Sequence, residues 1–102
     1  MKRVLEYHVK AEVKRQLNKL GAYQFWPVQT GLGAATVDCL ACVRGRFVAI
    51  ETKAPGRTPT PLQQATLTKI ALAGGISLVI DTVDLARCLP ELINVGTDFA
   101  PE

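Results

Sequence analysis

TVDCLACVRGRFVAIETK, residues 36–53, contains two runs of apolar and β-branched residues that are separated by Arg44 and Gly45. A two-residue connection of this kind between two such runs is typical of a β-hairpin. Both faces of the two runs are largely apolar, which indicates central strands that are covered on each side. We therefore predict a buried hairpin at the centre of the fold.

The predicted hairpin brings two carboxylates together. If residues 44–45 form the turn, counting outward places Asp38 opposite Glu51 and Thr36 opposite Lys53. Residues opposite each other in an antiparallel pair point to the same face, with Cβ atoms about 5 Å apart. The sequence thus predicts a polar cluster of Asp38, Glu51 and Lys53 on an otherwise apolar face.

Two half-buried carboxylates at this separation repel each other, so a positive group is expected beside them. Lys53 supplies one charge, and a divalent cation is the more complete answer, since Mg²⁺ is typically held by one or two carboxylates. The open alternative is a bulge that shifts the register by one residue. Asp38 would then point to the other face, and Lys53 would simply neutralise Glu51 at a strand end.

The remaining apolar patterns and stop signals predict the other elements. Thr60 and Gln63 form a capping box, with Pro61 at the first helical position. The predicted order is a helix over 4–20, an edge strand over 23–29, the hairpin strands over 36–43 and 46–53, a helix over 61–73, a strand over 76–80 and a short helix over 82–89. This order predicts one domain over residues 1–102, of α/β or α+β class, with helices around a mixed sheet and a tail over 90–102 left unassigned.

The first predicted helix carries a carboxylate, Glu6, within its apolar stripe, whereas Glu12 projects well away from that stripe. A carboxylate among core residues needs a partner. If the helix packs on the face of Asp38 and Glu51, Glu6 is a third acid for the same ion. The alternative is a frayed helix start, where an acid favours the dipole and reaches water.

Charge and cysteine content limit the function classes. The net charge is +3, and residues 1–57 hold ten Lys and Arg against four Asp and Glu, which suits a partner with phosphates. No apolar run approaches the roughly 20 residues that cross a bilayer, which indicates a soluble intracellular protein. Cys39 and Cys42 form a CxxC, but on a strand they point to opposite faces, so all three cysteines are expected to be packing residues.

The ordered set of Glu6, Asp38, Glu51-Thr52-Lys53 and Gln63 resembles the PD-(D/E)xK nuclease superfamily. The detailed pattern of residues and spacings is closer to the VRR-NUC branch of this superfamily, the virus-type replication-repair nucleases. The further matching features are Glu6 about fifteen residues before Gly21, the run FVAIETKAPGRTPTPLQ, and a helix that ends in Gly74 and Gly75. The resemblance runs from about Leu5 to Leu89, with Thr36 and Val37 standing where the family usually has glycine and proline.

The resemblance implies a restriction-endonuclease-like αβββαβ core and a metal-dependent phosphodiesterase. By this likeness Asp38 and Glu51 hold Mg²⁺ or Mn²⁺ together with the backbone carbonyl of Thr52, and Glu6 binds a metal directly or through water. Lys53 would orient the attacking water or stabilise the charge of the phosphorane.

Gln63 is also implied at the site, although its capping-box role is a full structural explanation. The resemblance to the small free-standing members of the branch also implies a homodimer that cuts branched DNA, notably four-way (Holliday) junctions, in repair and recombination. The candidate phosphate contacts are Lys10, Lys14, Arg44 and Arg57.

The leading hypothesis is therefore a structure-selective endodeoxyribonuclease of the cytoplasm, with a phage or prophage origin left open. Three alternatives stay open. They are a flap- or nick-directed repair nuclease, a catalytically idle member that binds DNA, and a small structural domain with a surface ion pair.

Overall fold

The computed structural model describes residues 3–28 and 36–94, which form one mixed sheet with helices on both faces. The elements are α1 (Glu6–Lys19), β1 (Tyr23–Phe25), β2 (Cys39–Val43), β3 (Arg46–Thr52), α2 (Pro61–Leu72), β4 (Ile76–Ile80), α3 (Val83–Arg87) and α4 (Leu89–Ile93). This order confirms the predicted fold class and the αβββαβ core.

The four strands lie in the order β1-β2-β3-β4, with β3 and β4 parallel and the other two pairs antiparallel. Arg44 and Gly45 both have positive φ, 51° and 84°, as a two-residue type I′ hairpin turn requires. The β2–β3 register runs from Val43 opposite Arg46 to Cys39 opposite Ile50 without a slip. The alternative of a bulged hairpin is therefore excluded.

The helices divide between the two faces of the sheet. Leu67 of α2 packs with Ala49 of β3 in the smaller core. The larger core joins α1, α3 and α4 to the opposite face and includes Val9, Val13, Leu17, Cys39, Ala41, Val43, Val48, Ile50, Ile80, Ala86, Leu89 and Ile93. Because side chains alternate along a strand, Glu51 points to the same face as Ala49, which is the face that α2 covers.

The chain after β4 differs from the prediction. A single helix was expected over 82–89, but α3 ends at Arg87 and α4 begins at Leu89. Pro90 lies in the first turn of α4, where the missing N–H of proline leaves no helical bond unmade. Asn94, with φ 62°, ends that helix, so part of the unassigned tail is helical, and residues 95–102 lie outside the described residues.

The prediction that Glu12 projects well away from the apolar stripe, and so needs no special account, is wrong. Glu12 is 8% exposed, accepts a 2.8 Å hydrogen bond from Gln16 Nε2, and forms a salt bridge with Arg15. Arg87 of α3 also approaches the Glu12 carboxylate, at 4.0 Å. At about 100° per residue, Glu12 lies only about 20° beyond Leu5 at the edge of the apolar stripe, so helix geometry already places it beside the packed side of α1.

The cysteines match the prediction only in part. Cys39 is buried and Cys42 is exposed, which confirms that they point to opposite faces, but Cys88 is exposed as well. The packing role is thus right for Cys39 alone, and burial raises the pKa of its thiol to about 12. Within the two described ranges, no helix is long and apolar enough to span a bilayer.

Candidate active site

Asp38 and Glu51 lie side by side where β2 and β3 meet. The backbone N–H of Asp38 donates to Glu51 Oε1 at 3.1 Å, and the Thr52 N–H and hydroxyl both donate to Asp38 Oδ2, at 3.0 and 2.7 Å. The two carboxylates thereby continue the hydrogen bonding beyond the last ladder pair, Cys39 and Ile50. This explains why β2 begins at Cys39 rather than at the predicted residue 36.

Glu51 is an almost fully buried acid. Its side chain is 1% exposed, and Lys53 Nζ lies 3.3 Å from its Oε2. Burial raises the pKa of the Glu51 carboxyl, the neighbouring Asp38 raises it further, and Lys53 opposes both effects. A buried carboxylate beside a second acid, with an ammonium group in contact, is a common arrangement at functional sites because a bound cation relieves the repulsion.

Lys53 is placed by the sheet itself. Its backbone N–H donates to the carbonyl of Ile80 at 3.0 Å, which extends the β3–β4 pairing by one residue beyond Thr52. The Lys53 side chain is 16% exposed, so the ammonium lies at the edge of the site and not in bulk water. The predicted cluster of Asp38, Glu51 and Lys53 is thus brought together by the fold.

The donor set fits a hard divalent cation, which prefers carboxylate and carbonyl oxygens and completes its shell with water. The hydrogen bonds described above use one oxygen of each carboxylate, and the second oxygen of Glu51 faces Lys53. Over residues 3–28 and 36–94, however, no group of three or more His, Cys, Asp or Glu side chains is placed to hold a metal. The described site therefore supplies two carboxylates and not three.

Glu6 is not on the face of the acid pair. It is the first residue of α1, half-buried, and α1 packs on the opposite face of the sheet from Glu51. Glu6 was expected to join the metal site if α1 packed on the face of Asp38 and Glu51, and α1 does not pack there. Its place in the first turn of α1 agrees with the alternative of an acid at a helix start, and a role in metal binding stays a prediction.

Gln63 caps α2. Its Oε1 accepts the Thr60 N–H at 2.9 Å, and its own N–H donates to Thr60 Oγ1 at 3.2 Å, with Pro61 as the first helical residue. These bonds confirm the predicted capping box. Contact between Gln63 and a substrate stays a prediction.

The predicted basic contacts lie in different places. Lys10 and Lys14 of α1 stand over the ring of Trp26, 5.9 and 4.9 Å from its centroid. Trp26 was not among the predicted site residues, although an aromatic residue just after an edge strand was a usable signal. Arg57 lines a groove near Lys53. Arg44 lies in the turn at the other end of β3, a strand that is roughly 20 Å long.

Comparison with known proteins gives a relative and a fold. No family model matches the chain. A protein of Acyrthosiphon pisum secondary endosymbiont phage 1, described as "Putative nuclease p44", is 30% identical over 86 residues, which cover 84% of this chain and 88% of that protein. A solved structure described as a VRR_NUC domain has a TM-score of 0.71 at 23% identity, covering 84% of this chain and 94% of the other. The chain therefore belongs to the same family as the phage protein described as "Putative nuclease p44", and it has the fold of a VRR_NUC domain.

Proposed function

We propose that this protein is a divalent-metal-dependent, structure-selective endodeoxyribonuclease that hydrolyses phosphodiester bonds beside Asp38 and Glu51. The observation that carries the proposal is the buried Glu51, with its raised pKa, packed against Asp38 at a strand end with Lys53 3.3 Å away. Burying this carboxylate without a cation costs stability, whereas holding a metal ion turns the same arrangement into a site.

Asp38, Glu51 and the backbone carbonyl of Thr52 would hold Mg²⁺ or Mn²⁺, with Glu6 acting through water from the end of the sheet. When bound, the ion supplies Lewis-acid polarisation of a phosphate oxygen and lowers the pKa of a coordinated water. Thr52 fixes the Asp38 carboxylate through its N–H and hydroxyl, which limits the rotation of that ligand. The chain thus holds the acid pair in position before any ligand arrives.

Lys53 would act on the reacting phosphate. Its compact ammonium is placed beside Glu51 and is partly exposed, so it can orient the attacking water or stabilise the negative charge of the phosphorane. The salt bridge to Glu51 keeps the ammonium aimed at the site. Lys53 is therefore the residue that links the acid pair to the substrate.

The proposed substrate is branched DNA, with four-way junctions preferred. The phage relative is described as "Putative nuclease p44". Arg57 would contact a phosphate near the site, and Lys10, Lys14 and Arg44 would contact phosphates farther from it. A flap- or nick-directed nuclease is the alternative within this class. The phage origin of the relative supports action in the cytoplasm of a bacterial host cell.

A homodimer is the second part of the proposal. Tyr23, Phe25 and Phe47 are 71, 51 and 49% exposed, and register places all three on the α2 side of the sheet, where α2 packs mainly against β4 and β3. We call this surface, with the exposed Cys42 between Tyr23 and Phe47, the aromatic face. Clustered exposed aromatic residues are typical of protein interfaces, and pairing two copies gives two sites for two strands.

Cleavage of labelled DNA tests the substrate. Four-way junction, flap, nicked and linear duplex DNA would be incubated with Mg²⁺, Mn²⁺ or EDTA. We expect metal-dependent cutting of the junction at a higher rate than of linear duplex, and none in EDTA. Binding of the junction without cleavage in either metal would instead support an idle DNA-binding member.

A further inference from the structure

We infer that a groove between the start of α1 and the loop after β3 binds one backbone phosphate of the DNA strand, distinct from the phosphate that is cut. The inference rests on the proposed nuclease function. The groove has a volume of about 570 Å³ and is lined by Arg3, Val4, Leu5, Ala54, Pro55 and Arg57. We call it the two-arginine groove.

The lining of the two-arginine groove suits a phosphate. It has two guanidinium groups and four apolar or small residues, and none of these six residues is acidic. Arginine binds phosphate with a planar pair of N–H donors, and the other four lining residues carry no side-chain acceptor that competes for those donors. The two arginines lie more than fifty positions apart in the sequence, so the fold and not local sequence brings them to one groove.

The loop that carries Arg57 is held in place. The Arg57 N–H donates to the Ala54 carbonyl at 3.0 Å, and the Gly56 N–H donates to Asp81 Oδ2, just after β4, at 3.3 Å. Gly56 has φ 81°, a conformation that other residues rarely adopt. A turn that is already formed loses less entropy when it binds a ligand, which favours a real site over a solvated arginine.

The groove lies beside the acid pair. Ala54 follows Lys53 directly, and Arg57 is four residues from Lys53, so at most about 14 Å of chain separates the two. One strand of DNA advances about 3.4 Å per nucleotide along the helix axis. A strand whose phosphate is cut beside Lys53 therefore places another phosphate, within about four nucleotides, at the two-arginine groove.

Direct binding tests the inference without cleavage. Affinity for labelled four-way junction DNA would be measured in EDTA over a range of KCl for the wild type, Arg3→Gln, Arg57→Gln and the double variant. We expect the double variant to bind about tenfold more weakly. The slope of log affinity against log salt concentration should also be smaller in magnitude by about one, because one phosphate contact is lost. Arg46→Gln, at the far end of β3, is the matched control and should change affinity by less than about twofold.

A chemical change on the DNA identifies the phosphate. Neutral methylphosphonate linkages would be placed one at a time within four nucleotides of the cut. We expect one position to weaken binding by the wild type but not by the double variant. Equal methylphosphonate effects in both proteins, or wild-type affinity in the double variant, would overturn the inference.

The outcomes separate this inference from the proposed function. If the wild type binds and cuts DNA but the arginine variants do so equally well, only the two-arginine groove is wrong. If the wild type binds no DNA, both proposals fail. If the glutamine variants do not fold, Arg3→Lys combined with Arg57→Lys gives a second test, because lysine keeps the charge but lacks the paired N–H donors. We expect this variant to bind DNA more weakly than the wild type. Binding at the wild-type affinity would contradict the two-arginine groove.

Discussion

At the scale of single residues, the chain retains an acid where its environment disfavours one. Glu51 ends an otherwise apolar strand, is 1% exposed, and has its pKa raised first by burial and then by Asp38. A neutral residue of similar shape would pack there at lower cost in stability. The site therefore predicts a measurable link between pH, metal and stability.

In EDTA, we expect the free energy of unfolding to fall as pH rises from about 4.5 to the raised pKa of Glu51. Over that interval the folded state binds a proton that the unfolded state, with its ordinary pKa of 4.5, has released. Glu51→Gln should remove this pH dependence and increase stability at neutral pH. Urea unfolding at a series of pH values measures both effects.

The effect of Mg²⁺ on the melting temperature tests the role of Glu51 in a second way. Mg²⁺ should raise the melting temperature of the wild type and not that of Glu51→Gln, since a ligand stabilises only the state that binds it. Glu91→Gln, an exposed acid of α4, is the control and should behave as the wild type. A Mg²⁺ shift of equal size in Glu51→Gln would contradict the assignment of Glu51 as a ligand.

The pairing of Asp38 with Glu51 could be predicted from the sequence because a two-residue turn at Arg44 and Gly45 fixes the register of every later pair. The position of Glu6 could not be predicted. Helix periodicity gives the buried side of α1 but not the face of the sheet on which α1 packs. That choice depends on contacts with α3 and α4, which lie far away in the sequence.

At the scale of elements, α2 begins at a capping box made of two hydrogen bonds, and substitutions at Thr60 and Gln63 test them one at a time. Thr60→Ala should lower the free energy of unfolding by about 1 kcal/mol, because the Gln63 N–H loses its partner. Gln63→Glu should keep the stability, since glutamate serves equally well at this position. Chemical denaturation measures these changes.

The same Gln63→Glu variant separates capping from catalysis. Because the Gln63 side chain already accepts the Thr60 N–H, we expect the cleavage rate to stay near that of the wild type. A large fall in kcat with stability unchanged would show instead that Gln63 contacts the substrate, since an added negative charge repels phosphate.

Glu12 adds a polar contact between α1 and α3, since Arg87 of α3 lies 4.0 Å from its carboxylate. Its hydrogen bond from Gln16, followed by Arg15 and Arg87, lowers the pKa of the Glu12 carboxyl. Stability from this group is therefore complete above pH 4.5 and is lost as pH falls through the lowered pKa. Glu12→Ala should lower the free energy of unfolding by about 1–3 kcal/mol at neutral pH, measured in urea, because the buried side-chain amide of Gln16 loses its acceptor.

An unchanged midpoint for Glu12→Ala would contradict this account of the α1–α3 contact. The burial of Glu12 could have been predicted from helix geometry, since at about 100° per residue Glu12 lies about 20° from Leu5, at the edge of the apolar stripe. A carboxylate with its own hydrogen-bonding partners can lie at the edge of a packed contact.

At the scale of the whole molecule, the aromatic face predicts self-association. Tyr23→Ser with Phe25→Ser should convert a dimer to a monomer in sedimentation experiments while changing stability by less than about 0.5 kcal/mol, because both side chains are largely exposed. Leu72→Ser, which removes an exposed apolar side chain of α2, is the control and should leave the dimer intact. A monomeric wild type would contradict the proposed dimer.

The order of helices and strands could be predicted because stop signals separate the apolar runs and a capping box marks the start of α2. The exposure of the aromatic face could not be predicted. Tyr23 and Phe25 alternate as they would on a buried strand, but α2 packs mainly against β4 and β3 and leaves both side chains exposed. Packing between elements, and not local pattern, decides which apolar faces are left for a partner.

The central claim is that the buried acid pair and Lys53 form a metal-dependent nuclease site. The most direct test is the rate of DNA cleavage in Mg²⁺ for the wild type, Lys53→Ala and the exposed-lysine control Lys19→Ala, with folding checked by thermal melting. We predict that Lys53→Ala cuts about 10²–10³-fold more slowly while it stays folded, that Lys19→Ala cuts at the wild-type rate, and that EDTA stops all three. Cleavage by Lys53→Ala at the wild-type rate, or cleavage that persists in EDTA, would contradict the claim.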